Sequence, residues 1–304
     1  MQTKKLREER KGVTALVLLT FNFGLIAILA KYLSFHVSLY QQLYLTIGTA
    51  FITGILLFRK KLSFGKIIST GKKDLIIIFL RAFFGFVFGS ALYRESLTLT
   101  KVSNVTFIQS IPFTALLGFA LFGEKFTIKK LAYVFLAFIG VILIAIRDFS
   151  SIFIWGQGEL FSLFSTFLFA ISFLSRRWLS DHLNNQEITQ IALFFATIML
   201  FTTSLIVDKT VVPVVNNFSY IFLFALILLG IINAVDGVLI NFGFKVVPPV
   251  LASNILTLES LFAILLAFIF YQELPNVKEF TGGVLIISSV ILMNRLEEKE
   301  KVKK

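Results

Sequence analysis

Two stretches decide the fold: FTALLGFALFGEKFTIKKLAYVFLAFIGVILIAI (Phe113–Ile146) and FAILLAFIFYQELPNVKEFTGGVLIISSVILMNR (Phe262–Arg295). Each is an apolar run closed by a glutamate, then a short polar turn, then a second apolar run. At an offset of 149 residues (273 − 124) they align without gaps. Ten positions are identical, Glu124 with Glu273 and Lys129 with Lys278 among them. Leucine and phenylalanine matches arise readily by chance in such text. An acid followed five residues later by a lysine does not. The third and eighth apolar runs fall into register at the same offset. The first and sixth nearly do, with Gly12 opposite Gly158 and Thr20 opposite Thr166. The chain reads as a five-helix unit written twice.

The totals say what surrounds these runs. Of 304 residues, 57% are hydrophobic and only 15% charged, with a mean hydropathy of +0.88. A soluble domain carries nearer a quarter charged residues and cannot hide this much apolar surface, so the solvent is a bilayer. A spanning helix needs roughly 17 to 25 mostly apolar residues. Ten runs qualify: 13–30, 40–58, 75–92, 102–122, 128–146, 158–175, 188–207, 220–242, 250–271 and 277–293. They lack the strict alternation of a membrane strand. The basic start MQTKKLREERK precedes a run with no small-residue cleavage site, so 13–30 reads as a first span rather than a removable leader.

Charge tests the count. Ten spans put both termini on one side. With that side taken as cytoplasmic, it receives 22 Lys and Arg residues against 5 on the other, as positively charged inner loops require. The net charge of +12 therefore reads as loop charge and not as a nucleic-acid surface. Five is odd, so the second unit is expected upside down relative to the first. The expected fold class is an all-α membrane protein of ten transmembrane helices in two inverted five-helix repeats. The expected boundaries are 1–147, 155–295 and a charged cytoplasmic tail over 296–304.

The stretches IPFTALLGFALFGEKFTIKKLAYVFLAFIGVIL (Ile111–Leu143) and LESLFAILLAFIFYQELPNVKEFTGGVLIISSVIL (Leu258–Leu292) resemble those of the drug/metabolite transporter superfamily, EamA-type. The resemblance covers nearly the whole chain. That pattern has a Leu-rich helix ending in Gly-Glu and a following helix with two spaced glycines. Here Gly140 keeps the later glycine of the first copy and Gly282 the earlier one of the second. Tyr133, Ser289 and Gln272 stand where glycines are usual, and the ninth run lacks the usual proline near Glu259–Ser260. The resemblance implies ten helices, a central cavity between the halves and movement of small metabolites.

Both repeated acids sit at span ends, within reach of the headgroup layer. Glu124 and Glu273 are each expected to accept hydrogen bonds from the free N–H groups at the start of the very next helix. Deeper polar groups are the better binding candidates. Glu259 lies about nine residues, roughly 12 Å, into the ninth run, near the bilayer centre. Its repeat partner is Ser110 (259 − 149). Asp236 lies inside the eighth run, one turn from Asn233. An ionisable group at such depth costs at least ~2.5 kcal/mol if it faces lipid, so it faces a cavity or a partner. Arg94 and Lys245 are available as partners. Asn22, Gln109, Ser253, Asn254, Thr257 and Ser260 are further candidates to line a cavity, although amides and hydroxyls also glue helices together. Arg94 and Glu95 form a candidate ion-paired gate, Arg81 is near enough to a span end to snorkel, and Pro112 is expected to bend the fourth helix beside Ser110.

The absence of cysteine excludes disulfides, thiol catalysis and Cys-type metal centres, and His36 and His182 make no metal-ligand spacing. No nucleophile motif, HExxH or Walker loop is present, so no catalytic residue, metal or cofactor is assigned. The expected function is secondary transport of a small metabolite, such as an amino acid, across the cytoplasmic membrane. The expected mechanism is alternating access, as proton-coupled exporter or exchanger. The expected partners are that solute and the lipid bilayer, with the oligomeric state open. An anion or sugar-phosphate/nucleotide-type exchanger is the main alternative; an intramembrane enzyme or a non-transporting scaffold ranks lower.

Overall fold

A computed structural model describes residues 2–100, 102–124, 127–145, 156–271 and 276–302. Helices fill it. They are α1 (Gln2–Ser34), α2 (Leu39–Phe58), the short α3 (Phe64–Ile68), α4 (Lys72–Arg81) and α5 (Ser90–Leu99), joined by a π-helical stretch (Ala82–Gly89). Then come α6 (Val102–Gln109), α7 (Phe113–Phe122), α8 (Ile128–Ala145), α9 (Gln157–Leu174), α10 (Asn185–Val207) and α11 (Tyr220–Val246). The last three are α12 (Pro249–Leu256), α13 (Leu258–Tyr271) and α14 (Val277–Val302). Among the described residues, seven helical stretches are long and apolar enough to cross a membrane. The fourth and ninth runs are instead broken into shorter pieces, α6–α7 and α12–α13.

Contacts at the helix ends set the directions. One face holds both termini: Arg10 Nε lies 3.2 Å from Glu298 Oε1, and Lys130 Nζ lies 2.5 Å from Glu297 Oε1. On this terminal face Glu187 caps Ser63 N at 3.0 Å, Asp74 accepts from Ser180, and Arg177 donates to the carbonyls of Phe244 and Val247. The opposite face is tied by Asn216 N to the His36 carbonyl at 2.8 Å and by Thr100 to Glu159. Successive helical columns therefore run alternately up and down.

The seam between the halves is a set of exchanged contacts. Helices α8 and α14 pack along their length, as do α2 and α10. A Cβ on Gly140 would sit 2.7 Å from the Gly282 carbonyl oxygen, and one on Gly282 would sit 2.6 Å from the Gly140 carbonyl oxygen. Ser289 Oγ donates to the Tyr133 carbonyl at 2.5 Å. Adding 149 to 133 gives 282, and to 140 gives 289. One contact is thus the image of the other. Gly48 against Thr197 is its own image (48 + 149). The departures from the glycine pattern now have a cause: each side supplies one glycine for the backbone crossing, and Ser289 trades the other for a hydrogen bond.

Two expectations need correction. Glu124 does not cap the helix that follows it. Its Oε2 accepts from Val250 N at 3.2 Å, in the first turn of α12, while Thr127 Oγ1 accepts from Lys130 N at 3.3 Å at the head of α8. The αL turn at Gly123 (φ 59°) ends α7 and leaves Glu124 beside α12 rather than in line with α8. Glu273 lies outside the described residues. The charged segment after 295 continues as helix: α14 runs on to Val302 and seats Glu297 and Glu300 against Lys130, at 2.5 and 3.3 Å. Pro112 does more than bend the fourth helix: α6 ends at Gln109 and α7 starts at Phe113. Proline lacks the N–H and clashes with the preceding turn.

Two outcomes follow. Gly140→Ala and Gly282→Ala each bring a methyl against backbone and are expected to cost about 1–3 kcal/mol in detergent unfolding, whereas Gly65→Ala, with open space around it, changes stability by less than about 0.5 kcal/mol. Burial raises the Glu124 carboxyl above its ordinary value; the Val250 N–H opposes this and the Glu297 charge adds to it. A raised carboxyl in the native state means that the cost of ionisation is fully present above the raised value and disappears as pH falls through it. Glu124→Gln keeps an acceptor for Val250 and removes the charge. Its melting temperature should exceed that of wild type most at high pH, and the gap should close on acidification. A gap that widens on acidification rejects this account.

Candidate functional site

The site forms on α11, which presents two different faces. Gly230 packs against Thr49 and Ala234 against Gly54 of α2, while Gly237 and Asn241 meet Thr189 of α10. Such small residues allow close helix approach in lipid. That packing turns Asp236 and Gly243 the other way, toward α1, where Gly243 meets Leu16. Asp236 is 3% exposed. Asn22 Nδ2 donates to its Oδ1 at 2.5 Å, and its Oδ2 is buried without a partner. Two residues chosen from sequence thus meet, one from each half of the chain. Asn233 does not join them; its amide donates to its own helix, to the Leu229 carbonyl at 2.7 Å.

Glu259 lies just past the α12–α13 break and is half-buried, with no hydrogen bond or ion pair among the described residues. The break is a tight turn: Ser260 N donates to the Thr257 carbonyl at 3.3 Å, and Thr257 Oγ1 donates to the Asn254 carbonyl at 2.7 Å. The α6–α7 break has the same form, with Ser110 Oγ donating to the Phe107 carbonyl at 2.6 Å. Ser110 and Thr257 therefore satisfy backbone at the breaks. Gln109 is an interhelical tie, donating to Ser165 Oγ at 2.6 Å and to the Ser162 carbonyl at 3.3 Å. Asn254 Oδ1 lies 3.0 Å from Ser289 Oγ, while Ser253 and Ser260 are buried nearby on the same run.

The cations are arranged differently from the expectation. Arg94 and Glu95 form no ion pair; neighbours on a helix diverge by about 100° and cannot face each other. Arg94 is half-buried and its Nη1 is buried without a partner. Lys245 serves neither deep acid: it pairs with Asp181 at the terminal face and holds that carboxyl below its ordinary value. Arg81 does not snorkel. It is 7% exposed, donating from Nε to the Ser172 carbonyl at 2.9 Å and from Nη1 to Asn241 Oδ1 at 2.7 Å. Asn241, which sequence reasoning passed over, also donates to Thr189 Oγ1 at 2.9 Å. Gln190, likewise missed, has both amide atoms buried and unpartnered beside Gly54. Both sat in plain view as polar letters inside apolar runs, which was the usable signal.

The Asn22–Asp236 link is testable by a double-mutant cycle. Asn22→Ala leaves the carboxyl with no donor and is expected to cost about 1–3 kcal/mol. Combined with Asp236→Ala, the two effects should fall short of additivity by about 0.5–3 kcal/mol in thermal or denaturant unfolding.

The EamA-like transporter family matches the chain twice, over residues 10–146 and 156–295. No curated protein matches it. A solved structure described only as a crystal structure of a protein superposes with a TM-score of 0.75 at 14% identity, covering 95% of this chain and 96% of that one. At that identity the likeness shows the fold alone. With two family domains filling the chain and apolar helices throughout the described residues, the chain belongs to the EamA-like transporter family of multi-pass membrane transporters.

Proposed function

We propose that the protein is a secondary active carrier for a small polar solute, working by alternating access in the cytoplasmic membrane with both termini in the cytoplasm. In this reading the broken fourth and ninth columns and α8 also span, giving ten crossings. The two repeats, 1–147 and 155–295, are inverted relative to each other. The end contacts support it: the starts of α1 and α8 lie on the terminal face, whereas Glu159 at the start of α9 lies at the opposite one. The excess of Lys and Arg in the loops of the terminal face supports its cytoplasmic placement.

The observation that carries the proposal is the Asn22–Asp236 hydrogen bond, made across the two halves with one carboxyl oxygen left unpartnered in the interior. Inverted-repeat carriers place their solute and coupling-ion sites at such an interface near the midplane, beside interrupted helices. Both interruptions are present, at Ser110–Pro112 and at Thr257. The halves also differ where movement is needed. The π-helical 82–89 corresponds at the 149 offset to 231–238, which is α-helical and contains Asn233 and Asp236. Exchange of these two local forms between the repeats would open the crevice first to one side and then to the other. Proton coupling through Asp236, with Glu259 second, fits a carboxyl that has no cationic partner.

The deciding measurement is uptake into proteoliposomes from a panel of labelled amino acids and related metabolites, with and without an imposed pH gradient. Asp236→Asn is expected to reduce gradient-driven accumulation at least ~10-fold while solute exchange without a gradient persists. Glu259→Gln is expected to have a smaller effect. Full gradient-driven accumulation in both variants removes proton coupling from these acids.

A further inference from the structure

Arg81 is a buried cation without an acid. A guanidinium taken out of water normally finds a carboxylate or reaches the interface, because an unpaired buried charge costs several kcal/mol. Arg81 does neither. Among the described residues no carboxylate lies within ion-pair distance. Its charged neighbour is another cation, Arg176, which is 1% exposed and has its Nε buried without a partner. The acids of that face, Asp74 and Asp181, act on Arg176. Two neutral oxygens hold Arg81 from Nε and Nη1, and its Nη2 makes no hydrogen bond among the described residues.

Its place is as informative as its chemistry. Arg81 stands where α4 meets the π-helical stretch, in the first half of the chain, and both of its acceptors are in the second half, on α9 and α11. It therefore bridges the same seam as Asn22–Asp236, with opposite charge. On α11 its acceptor Asn241 is five residues from Asp236, about 7.5 Å along the helix axis. Arg81 is buried with its acceptors on α9 and α11, so a lipid headgroup has no direct approach.

We propose that Arg81, seconded by Asn241, is the subsite for the oxyanion of the transported solute, a carboxylate or a phosphate. This rests on the carrier reading above. In the present arrangement Asn241 Oδ1 occupies Nη1 and stands in for the solute. When the crevice opens, the oxyanion takes Nη1 and Nη2 as a fork, the geometry guanidinium groups prefer. Asn241 then keeps its bond to Thr189. The solute class is accordingly an acid or a zwitterion, and a purely cationic solute is excluded.

The test is ligand protection, which needs no flux. Purified protein in phosphatidylcholine nanodiscs is melted with inorganic phosphate, with L-glutamate, with L-alanine and with choline. At least one of the three oxyanion probes should raise the wild-type melting temperature by about 2 °C or more. Choline should not. The shift should disappear in Arg81→Gln, survive in part in Arg81→Lys and be unchanged in Arg59→Gln at the exposed loop. Phosphate separates itself from the two carboxylates by which probe acts. If no oxyanion probe protects wild type, or Arg81→Lys is protected fully while Arg81→Gln is too, the subsite is overturned. Protection seen only after exchange into phosphatidylglycerol assigns the cation to lipid and overturns it as well. Loss of gradient-driven flux in Asp236→Asn with protection intact supports both proposals. Intact protection with no solute moved in any panel overturns the carrier reading alone.

Discussion

Everything in this molecule depends on how closely helices approach where lipid gives them no reason to associate. Lipid tails are as apolar as leucine, so burial supplies no drive, and association rests on packing and on the few polar contacts available. The chain answers with small residues at the crossings. Gly140 meets Gly282 backbone to backbone, and Gly48, Gly230 and Gly237 meet the threonines of neighbouring helices. Because the α8–α14 crossing and its image occupy one seam, a change on either side strains both halves together.

Close packing also decides where polar groups go. With α11 held by its small face against α2 and α10, Asp236 turns toward α1 and meets Asn22. The same seam receives Arg81 from the other half, onto Asn241 and the Ser172 carbonyl. Two links of opposite charge therefore tie the repeats through the interior, each using neutral partners and each leaving a hydrogen-bonding atom without a partner among the described residues. Neutral partners can be exchanged for a solute more readily than a buried ion pair, in which each charge depends on the other. Among the described residues, buried ion pairing stands at the terminal face, where Lys130 meets Glu297 and Glu300.

Much of this was legible in one sequence. The repeat, the bilayer setting and the deep acids follow from hydropathy and from the 149-residue offset. The reading failed where a partner lies far along the chain. Glu124 was given to the nearest helix start, but the turn at Gly123 carries it to Val250, 126 residues away. Arg81 was judged by its distance from a span end, yet Asn241, 160 residues on, holds it inside. The Thr257 interruption has no proline to announce it, and Asn241 and Gln190 were passed over.

Sequence by itself determined that this chain is a doubled set of apolar helices, because unpaired backbone groups cannot face lipid and only helices of sufficient length satisfy them locally. It determined the candidate acids too, since a charge inside such a run is legible without coordinates. Tertiary structure decided which of them meet. Asn22 and Asp236 are joined, Arg94 and Glu95 are not, and Arg81 and Asn241 emerge as a pair. The reason is geometric. A helix fixes the relation of residues a few positions apart, but the facing of one helix to another is set by small-residue contacts between elements more than a hundred positions apart, which no local pattern records.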